Sequence, residues 1–252
     1  MQTDYTNDMT VAAAGVLFGE DHSIRTKVNP DDVIPFGVAV AKVSGNDKGV
    51  ALFTHPADVL VGVAVRTFTP TDTSYAVESA LPTLNDGMIY VPVNQTVTAD
   101  DDVYIQHSDT LNVQTIVFSA DLIASNSIAT TVNGVALTPT VYATSNAATL
   151  TALAASIEAT ADVLTAVSDG THTITVTSVN SDPITFVGPT VTLGVSQATA
   201  VVATSVAGVA GTEQGYFRKD SDSNTAVAAG SNYKFVEGAT SGGFAVLSVK
   251  QA

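Results

Sequence analysis

The feature of this sequence that most limits its fold is a series of short runs in which apolar and polar residues alternate. Such alternation places the apolar side chains on one face of an extended chain, so it predicts strands rather than helices. Phe36–Lys42 alternates in this way, Val59–Arg66 is almost continuously apolar, and Met88–Val93 is a third run. The second run predicts a strand buried on both faces, and Pro92 places the third at a sheet edge. The sequence therefore predicts a mainly β protein.

Turn-forming sequences separate these runs, because glycine, asparagine and aspartate adopt the backbone angles of tight turns at little cost. Ser44–Gly49, Asn85–Gly87 and Ser241–Gly243 are of this kind. After residue 208 the alternating pattern returns. It predicts three further strands, Gly215–Lys219, Tyr233–Val236 and Phe244–Val249.

Residues 116–206 differ in composition: alanine, threonine, serine and valine dominate, while aromatic and charged residues almost disappear. Ala147–Ala159 has a helical pattern, because its apolar residues recur at i, i+3, i+4 and i+7, and Ser145 or Asn146 can cap its start. The apolar residues of this helix are Leu150, Leu153, Ala154 and Ile157. Strands are predicted around the helix at Ser127–Val132, Thr138–Ala143, Val163–Val167, Thr171–Thr177, Ile184–Val187 and Thr190–Leu193.

The two ends of the chain share one composition and the middle has another, which indicates a domain interrupted by an insertion. We predict a small β-barrel or β-sandwich domain built from residues 1–115 and 207–252. Residues 116–206 form the insertion, a small α/β (strand–helix–strand) module. Insertions are tolerated at exposed loop tips, and we expect the module to leave the domain at such a loop.

Charge and hydropathy exclude several classes of function. The 252 residues include 24 acidic and 9 basic ones, giving a net charge of −15, and lysine and arginine form no cluster. Nucleic-acid binding is not expected, because phosphate contacts need cations. No stretch reaches the roughly 20 apolar residues that cross a bilayer, and the N-terminus lacks the basic region of a signal peptide. We expect a protein that is made in the cytoplasm and binds no membrane.

Three consecutive aspartates, Asp100 to Asp102, raise the question of a metal site. They lie between two short alternating runs, Thr96–Thr98 and Val103–Ile105. A Ca²⁺ ion needs about six to eight oxygen ligands from several spaced residues, and three adjacent side chains in a turn do not all face one ion. Aspartate is common in turns because its carboxylate accepts hydrogen bonds from nearby backbone N–H groups. The triplet is therefore interpreted as the corner of a β-hairpin.

Asp220, Asp222 and Asn224 form a better Ca²⁺ candidate, because alternate oxygen-bearing side chains can converge in a loop. The glycine and glutamate of a known calcium-binding loop do not follow them at the expected distances. A solvated loop is the favoured interpretation, and we predict no cofactor.

No pattern of catalytic residues is found in the sequence. The motifs of a serine nucleophile elbow and of phosphate-binding loops do not occur. A polysaccharide hydrolase would need two carboxylates about 5–10 Å apart, and nothing pairs Glu78, Glu213 or Glu237 in the sequence. We therefore predict that the chain is not an enzyme. The histidines, which share no metal-ligand spacing, are His22, His55, His107 and His172.

Four stretches of the chain resemble the capsid cement, or decoration, proteins of tailed bacteriophages, whose fold is a small β-barrel. These stretches are Ile34–Lys42, Val61–Arg66, Gly87–Gln106 and Gly215–Val249. The insertion resembles the strand–helix–strand repeats of phage tail and other virion proteins, and by this resemblance it lies outside the minimal cement fold.

The resemblance implies a structural protein of the virion. It implies that the chain, made in the host cytoplasm, binds the major capsid protein on the outer surface of the phage head at capsomer junctions and stabilises the shell. It also implies a homo-oligomer, a trimer in preference to a dimer. In the segment Met1–Met9, Tyr5 and Met9 are candidate residues for contact with the capsid or a neighbouring copy. The alternative to this contact is a disordered tail.

A second interpretation of the sequence is a phage tail-fibre, baseplate or surface-adhesin module in which the insertion binds a host ligand. Sugar binding of this kind needs an exposed patch of aromatic side chains. The insertion contains Phe118, Tyr142 and Phe186 as its aromatic residues, which weakens this alternative.

Overall fold

The computed structural model describes residues 13–67, 72–192 and 198–250 and divides into two compact units. The first unit combines the chain up to His107 with the chain from Thr212 onward, and the second is Ser108–Gly211. The predicted boundary after residue 115 falls inside a strand, Val113–Phe118. This whole strand lies in the second unit because it pairs with two other strands there. That the two units fold as separate domains stays a prediction.

Strands are the main secondary structure of the described residues, which confirms the mainly β prediction. Eight strands precede the second unit: β1 (Leu17–Asn29), β2 (Ile34–Pro35), β3 (Ala39–Lys42), β4 (Val50–Leu52), β5 (Leu60–Ala64), β6 (Ser74–Tyr75), β7 (Ser79–Pro92) and β8 (Tyr104–Gln106). The second unit contains β9 (Val113–Phe118), β10 (Ser127–Val132), β11 (Val135–Ala136), β12 (Thr140–Val141), α1 (Asn146–Glu158), β13 (Val163–Ser168), β14 (Thr173–Ser178), β15 (Phe186–Thr192) and β16 (Ala200–Val206). The strands after it are β17 (Phe217–Arg218), β18 (Ala226–Ala228), β19 (Tyr233–Glu237) and β20 (Phe244–Lys250).

The first unit is organised around a seven-stranded antiparallel sheet in the order β19-β20-β7-β5-β3-β4, with β1 also paired to β7. The outermost strands of this order, β19 and β4, do not pair with each other in the described residues. The sheet is therefore open there, and the closed barrel, one of the two predicted forms, is not formed. Smaller sheets join β17, β8 and β18, and β2 and β6.

At β3 and β5, apolar side chains are buried on both faces of the main sheet. Along β3, Ala39 and Ala41 belong to one buried cluster, whereas Val40 belongs to another. In β5, Val63 and Ala64 divide between the two clusters in the same way. The prediction that the Val59–Arg66 run is buried on both faces is thus confirmed for the part that forms β5.

Strand β7 corrects two predictions. The predicted turn at Asn85–Gly87 lies inside this continuous 14-residue strand. The strand that contains Pro92 is not an edge strand, because β7 pairs with β1, β5 and β20, and Pro92 itself is in register with Phe244 of β20. Gly87 has φ 128°, and a Cβ there would lie 2.8 Å from the Asp21 backbone oxygen. Gly87 therefore allows β1 to approach β7 closely, at a place where the β1–β7 register is irregular. It does not reverse the chain.

Strand β1 was not predicted from the sequence. Its residues LFGEDHSIRTKVN include charged side chains and no sustained alternation. Most of the strand is exposed, so no apolar face marks it in the sequence. Its extended conformation comes from pairing with β7 along Ser23–Asn29 and at Leu17 and Phe18.

The second unit contains two four-stranded antiparallel sheets and the helix. One sheet has the order β13-β14-β9-β16, and in the other β10 pairs with β11, β12 and β15. The helix is close to its prediction: Ser145 caps it by accepting a hydrogen bond from the Ala148 N–H, and Leu150, Leu153 and Ile157 are buried. The two strands predicted from Ile184 to Leu193 are a single strand, β15, in the residues described.

No helix within the described parts of the chain is long and apolar enough to cross a membrane.

Replacing residues 108–211 with a short Gly/Ser bridge tests whether the first unit folds alone. The two ends of the cut are joined inside that unit, since the Gly215 N–H donates to the Gln106 oxygen at 2.8 Å and Gln214 Nε2 donates to the His107 oxygen at 2.8 Å. We expect the shortened chain to keep a single cooperative urea transition by circular dichroism. A broad, non-cooperative transition, with the full-length chain as control, would mean that the two units share one core.

Candidate interaction surfaces

The outer edge of β1 is a long strand edge that is mostly unpaired in the described residues. In the described residues, β1 pairs along β7 on one side, and on the other it has a single bridge, from Val28 to Gly49. Ile24 and Val28 are 43% and 44% exposed, and Arg25 and Lys27 supply two of the chain's nine basic side chains. An exposed strand edge of this length is a template for pairing with a strand of another chain.

The direction of the backbone groups on this edge follows from one hydrogen bond. The Val28 N–H donates to the Lys48 oxygen at 2.9 Å, away from β7. Because backbone groups alternate in direction along a strand, the N–H groups of Thr26 and Ile24 also point away from β7. Side chains at these same positions share one face of the strand. This edge therefore offers the N–H groups of Ile24 and Thr26 beside the exposed side chains of Ile24 and Val28.

Arg218 is the centre of a polar network that the sequence did not reveal. Arg218 is 7% exposed, and its Nη1 donates a hydrogen bond to Gln106 Oε1 at 3.0 Å. Its Nη2 lies 2.9 Å from Asp222 Oδ2 and 3.5 Å from Asp220 Oδ1. Gln95 Nε2 adds a hydrogen bond to Asp220 Oδ2 at 2.7 Å. The network ties β8, β17 and two loops together. Its signal in the sequence was an arginine followed by aspartates at positions +2 and +4.

Two of the three candidate Ca²⁺ ligands, Asp220 and Asp222, form ion pairs with Arg218. The carboxylates of Asp220 and Asp222 face the Arg218 guanidinium, which supplies the positive charge that a cation would otherwise bring. Asp222, Ser223 and Asn224 all have positive φ, so the loop is a tight reversal before β18. Within the described residues, no group of three or more His, Asp or Glu side chains is placed to hold a metal ion.

Asp100 to Asp102 lie at a turn, but the turn is not the corner of a hairpin. The Asp101 carboxylate accepts a hydrogen bond from the Thr98 N–H at 2.8 Å, and Asp100 has φ 67°. This hydrogen bond lowers the pKa of the Asp101 carboxyl. The residues on the two sides do not pair with each other, because Val97 bridges to Ala239 whereas β8 pairs with β17 and β18.

His107 is a buried histidine next to other titratable groups. His107 is 1% exposed. Burial lowers the pKa of its imidazole to about 4, and the nearby His55 acts in the same direction. A hydrogen bond with the Asn224 backbone and the charge of Asp58 act against this shift. The imidazole is therefore neutral at physiological pH.

The other candidate residues of the sequence make the following contacts. His22 Nε2 is 3.1 Å from the Phe18 oxygen, and His172 Nε2 is 3.0 Å from Asp121 Oδ1. Glu78 precedes β7 with positive φ, Glu213 Oε2 accepts a hydrogen bond from Asn94 Nδ2 at 2.9 Å, and Glu237 ends β19. Tyr5 and Met9 lie outside the described residues, and their contact role stays a prediction.

Comparison with known proteins identifies a family. A family model described as structural cement protein (E217 gp24/Pam3 gp6), of phages, matches residues 1–157. No curated protein matches the chain. A solved structure from Mycobacterium phage Patience aligns at 16% identity over 93% of this chain and 95% of that chain, with a TM-score of 0.27. A TM-score of this size carries no conclusion about a shared fold.

The chain belongs to the phage structural cement protein family, because the match covers well over half of its length. Membership makes it a structural protein of the phage capsid and implies a role other than catalysis. The match continues through residues 116–157, which the resemblance had placed outside the cement fold. The stretch Gly215–Val249 lies beyond the matched residues, so its resemblance stays a prediction.

The buried His107 predicts a specific loss of stability in mild acid. The folded chain binds this proton only near pH 4, whereas an unfolded histidine binds it near pH 6.5. Because the unfolded state binds more protons between these values, the contribution is fully present above about pH 6.5 and is lost as the pH falls toward about 4. The maximum effect on the free energy of unfolding is about 3 kcal/mol.

Urea denaturation across this pH range measures the effect, with His107→Gln as the test variant and His22→Gln as its control. We expect His107→Gln to weaken the dependence of the free energy of unfolding on pH, whereas His22→Gln leaves that dependence unchanged. An unchanged slope in His107→Gln would assign the dependence to other groups.

Arg218→Met is expected to destabilise the first unit by about 2–3 kcal/mol, because Gln106 Oε1 loses one of its two donors and the carboxylates of Asp220 and Asp222 lose their counter-charge. Thermal or urea unfolding measures this change. Lys219→Met is the matched control, since Lys219 is the adjacent residue, and it should change stability by less than about 0.5 kcal/mol. Equal effects of the two variants would show that the network does not stabilise the fold.

Proposed function

We propose that this protein binds the outer surface of the phage head at the junctions between capsomers and stabilises the shell there. Its partner is the major capsid protein, and it acts as a homo-oligomer, a trimer in preference to a dimer. The observation that carries the proposal is the match of residues 1–157 to the structural cement family. The net charge of −15 fits a position away from the packaged DNA.

Within the matched residues, the outer edge of β1 is the surface that we assign to the capsid. Its outward N–H groups and the exposed Ile24 and Val28 can add a strand of the capsid protein to the sheet, while Arg25 and Lys27 pair with carboxylates. A strand added in this way gains main-chain hydrogen bonds along its length. Several such contacts on one shell strengthen one another through avidity.

Titration of the purified protein against mature empty shells that lack it tests this function. Sedimentation counts the bound copies, and we expect saturation at a fixed number per capsomer junction, together with a higher temperature of shell disruption. Absence of saturable binding would overturn the proposal and favour the tail or adhesin alternative.

Thr26→Pro tests the assigned edge in the same assay. Proline removes the outward N–H of residue 26 and leaves the hydrogen bonds to β7 in place, because they come from the alternate residues. We expect shell affinity to fall on the order of tenfold, whereas Thr26→Val, which keeps the N–H, binds normally. Equal binding of the two variants, with unchanged circular dichroism, would place the capsid contact elsewhere.

A further inference from the structure

The sheet formed by β13, β14, β9 and β16 in the second unit has one covered face and one exposed face. Ile116, Phe118, Ile174 and Val176 point into the buried apolar cluster of the unit. Because side chains alternate across a sheet, their neighbours along each strand point outward. The exposed face is therefore defined by the alternate residues of the same strands.

The side chains of this exposed face are uncharged. Across its centre the register places Val167, Thr175, Thr115 and Ala203 in one row. Val117 and Val201 are paired in the next row. Val167, Val117 and Val201 are 63%, 42% and 61% exposed. We call this surface, defined by these six residues, the Thr/Val face.

The distribution of charge sets the Thr/Val face apart from the rest of the chain. Residues 108–211 contain no lysine or arginine. Their carboxylates lie outside the four strands of this sheet, at Asp109, Asp121, Glu158, Asp162, Asp169 and Asp182. Asp169, for example, closes the β13–β14 turn by accepting hydrogen bonds from the Thr171 and Thr173 N–H groups at 2.8 and 3.0 Å.

A charged partner gains nothing from this face, because a charge buried against it finds no counter-charge and loses its hydration. Two copies of this chain, each with a net charge of −15, repel each other when their acidic surfaces meet. Two Thr/Val faces bring no carboxylates against each other. Their β-branched side chains also suit the packing of one sheet on another.

We propose that the Thr/Val face is a contact between two copies of this chain, packed face to face about a twofold axis. A twofold contact uses the same patch on both copies, so a single self-complementary surface is enough. This contact goes beyond the capsid-binding role and does not depend on it.

The size of the face determines how strong this contact is. Four strands about 4.8 Å apart, with roughly six residues of about 3.3 Å each, bury on the order of 800 Å² in total when two faces meet. Stable interfaces bury about 1,200–2,000 Å². The contact is therefore weak between free copies, and it strengthens where copies are held side by side. On a shell it would link copies that belong to neighbouring trimers, a consequence that does rest on the proposed function.

Single cysteines detect the contact, because the native chain contains none. Thr175→Cys and Ala203→Cys place a thiol on the face, and Ala152→Cys places one at an exposed position of α1 as the matched control. The concentrated full-length protein is treated with a bis-maleimide that spans roughly the 10 Å between packed sheets. We expect the face variants to form covalent dimers on the order of tenfold faster than the control. Equal rates would overturn the proposal.

Adding Thr115→Lys to each face variant tests whether the face itself makes the contact. Desolvating two ammonium groups opposite each other should reduce dimer formation on the order of tenfold, to the rate of the control. The residue is partly exposed on the strand surface, and circular dichroism checks that the variant is folded. Undiminished cross-linking would overturn the proposal.

Ionic strength distinguishes this self-contact from an ion-paired contact. Since the face is uncharged and only the surrounding repulsion is screened, cross-linking should increase with ionic strength. A decrease with salt would indicate an ion-paired contact and overturn the proposal.

Shell binding distinguishes the self-contact from a contact with the capsid protein. If the face variants cross-link faster than the control but the protein does not bind shells, the self-contact is supported and the capsid role is refuted. Shell binding that Thr115→Lys abolishes, without faster cross-linking of the face variants, would overturn the self-contact and assign the face to the capsid protein instead.

Discussion

The pairing of β7 is the constraint on which the first unit depends. This strand is hydrogen-bonded to β1 from the beginning of the described chain, to β5 from the next part and to β20 from its end. Gly62 allows β5 to approach β7 closely, since a Cβ at this position would lie 2.2 Å from the Leu84 oxygen. Leu84 and Ile89 on β7 are fully buried in the shared apolar cluster. Segments far apart in sequence therefore form one sheet, whose contacts are mostly long-range.

The two units bury apolar side chains of different sizes and present different surfaces. The cluster around β7 includes Phe53, Phe217 and Phe235, and nearby polar atoms are held by the buried Arg218. The second unit is built around aliphatic residues of α1 and its two sheets, with Phe118 as its fully buried aromatic side chain in the described residues. Because its sheets need few charges for their stability, a whole sheet face can stay uncharged.

The two contacts proposed for this cement protein both use the surfaces of strands. The strand edge at β1 offers directional hydrogen bonds and a few cations in an otherwise acidic chain. The Thr/Val face offers uncharged side chains, which bring no charge repulsion to a contact. The residues that first suggested a metal site are turn and network residues, since Asp101 binds a backbone N–H and Asp222 faces Arg218. These carboxylates therefore order loops. The contact surfaces that we propose are formed by strands instead.

The sequence by itself determined the elements whose signals are local. The apolar spacing of Leu150, Leu153 and Ile157 predicted α1, and the alternation at Ser127–Val132 predicted β10 with the same bounds. Composition also separated the middle of the chain from its ends, and three of the four stretches that resemble the cement family lie within the residues that the family model matches. Such signals need only neighbours in the chain, because propensity, capping and face periodicity act over a few residues.

The tertiary structure decided what depends on partners that are distant in the chain. It turned Asn85–Gly87 from an apparent reversal into the middle of β7, because β1 and β20 supply the hydrogen bonds that keep the strand extended. It made β1 a strand although its side chains carry no apolar pattern, and it placed Asp220 and Asp222 beside a buried arginine. The unpaired edge and the uncharged face likewise follow from which strands lie side by side. Hydrophobic periodicity records which face of a strand is buried, but it does not record which strand lies next to it.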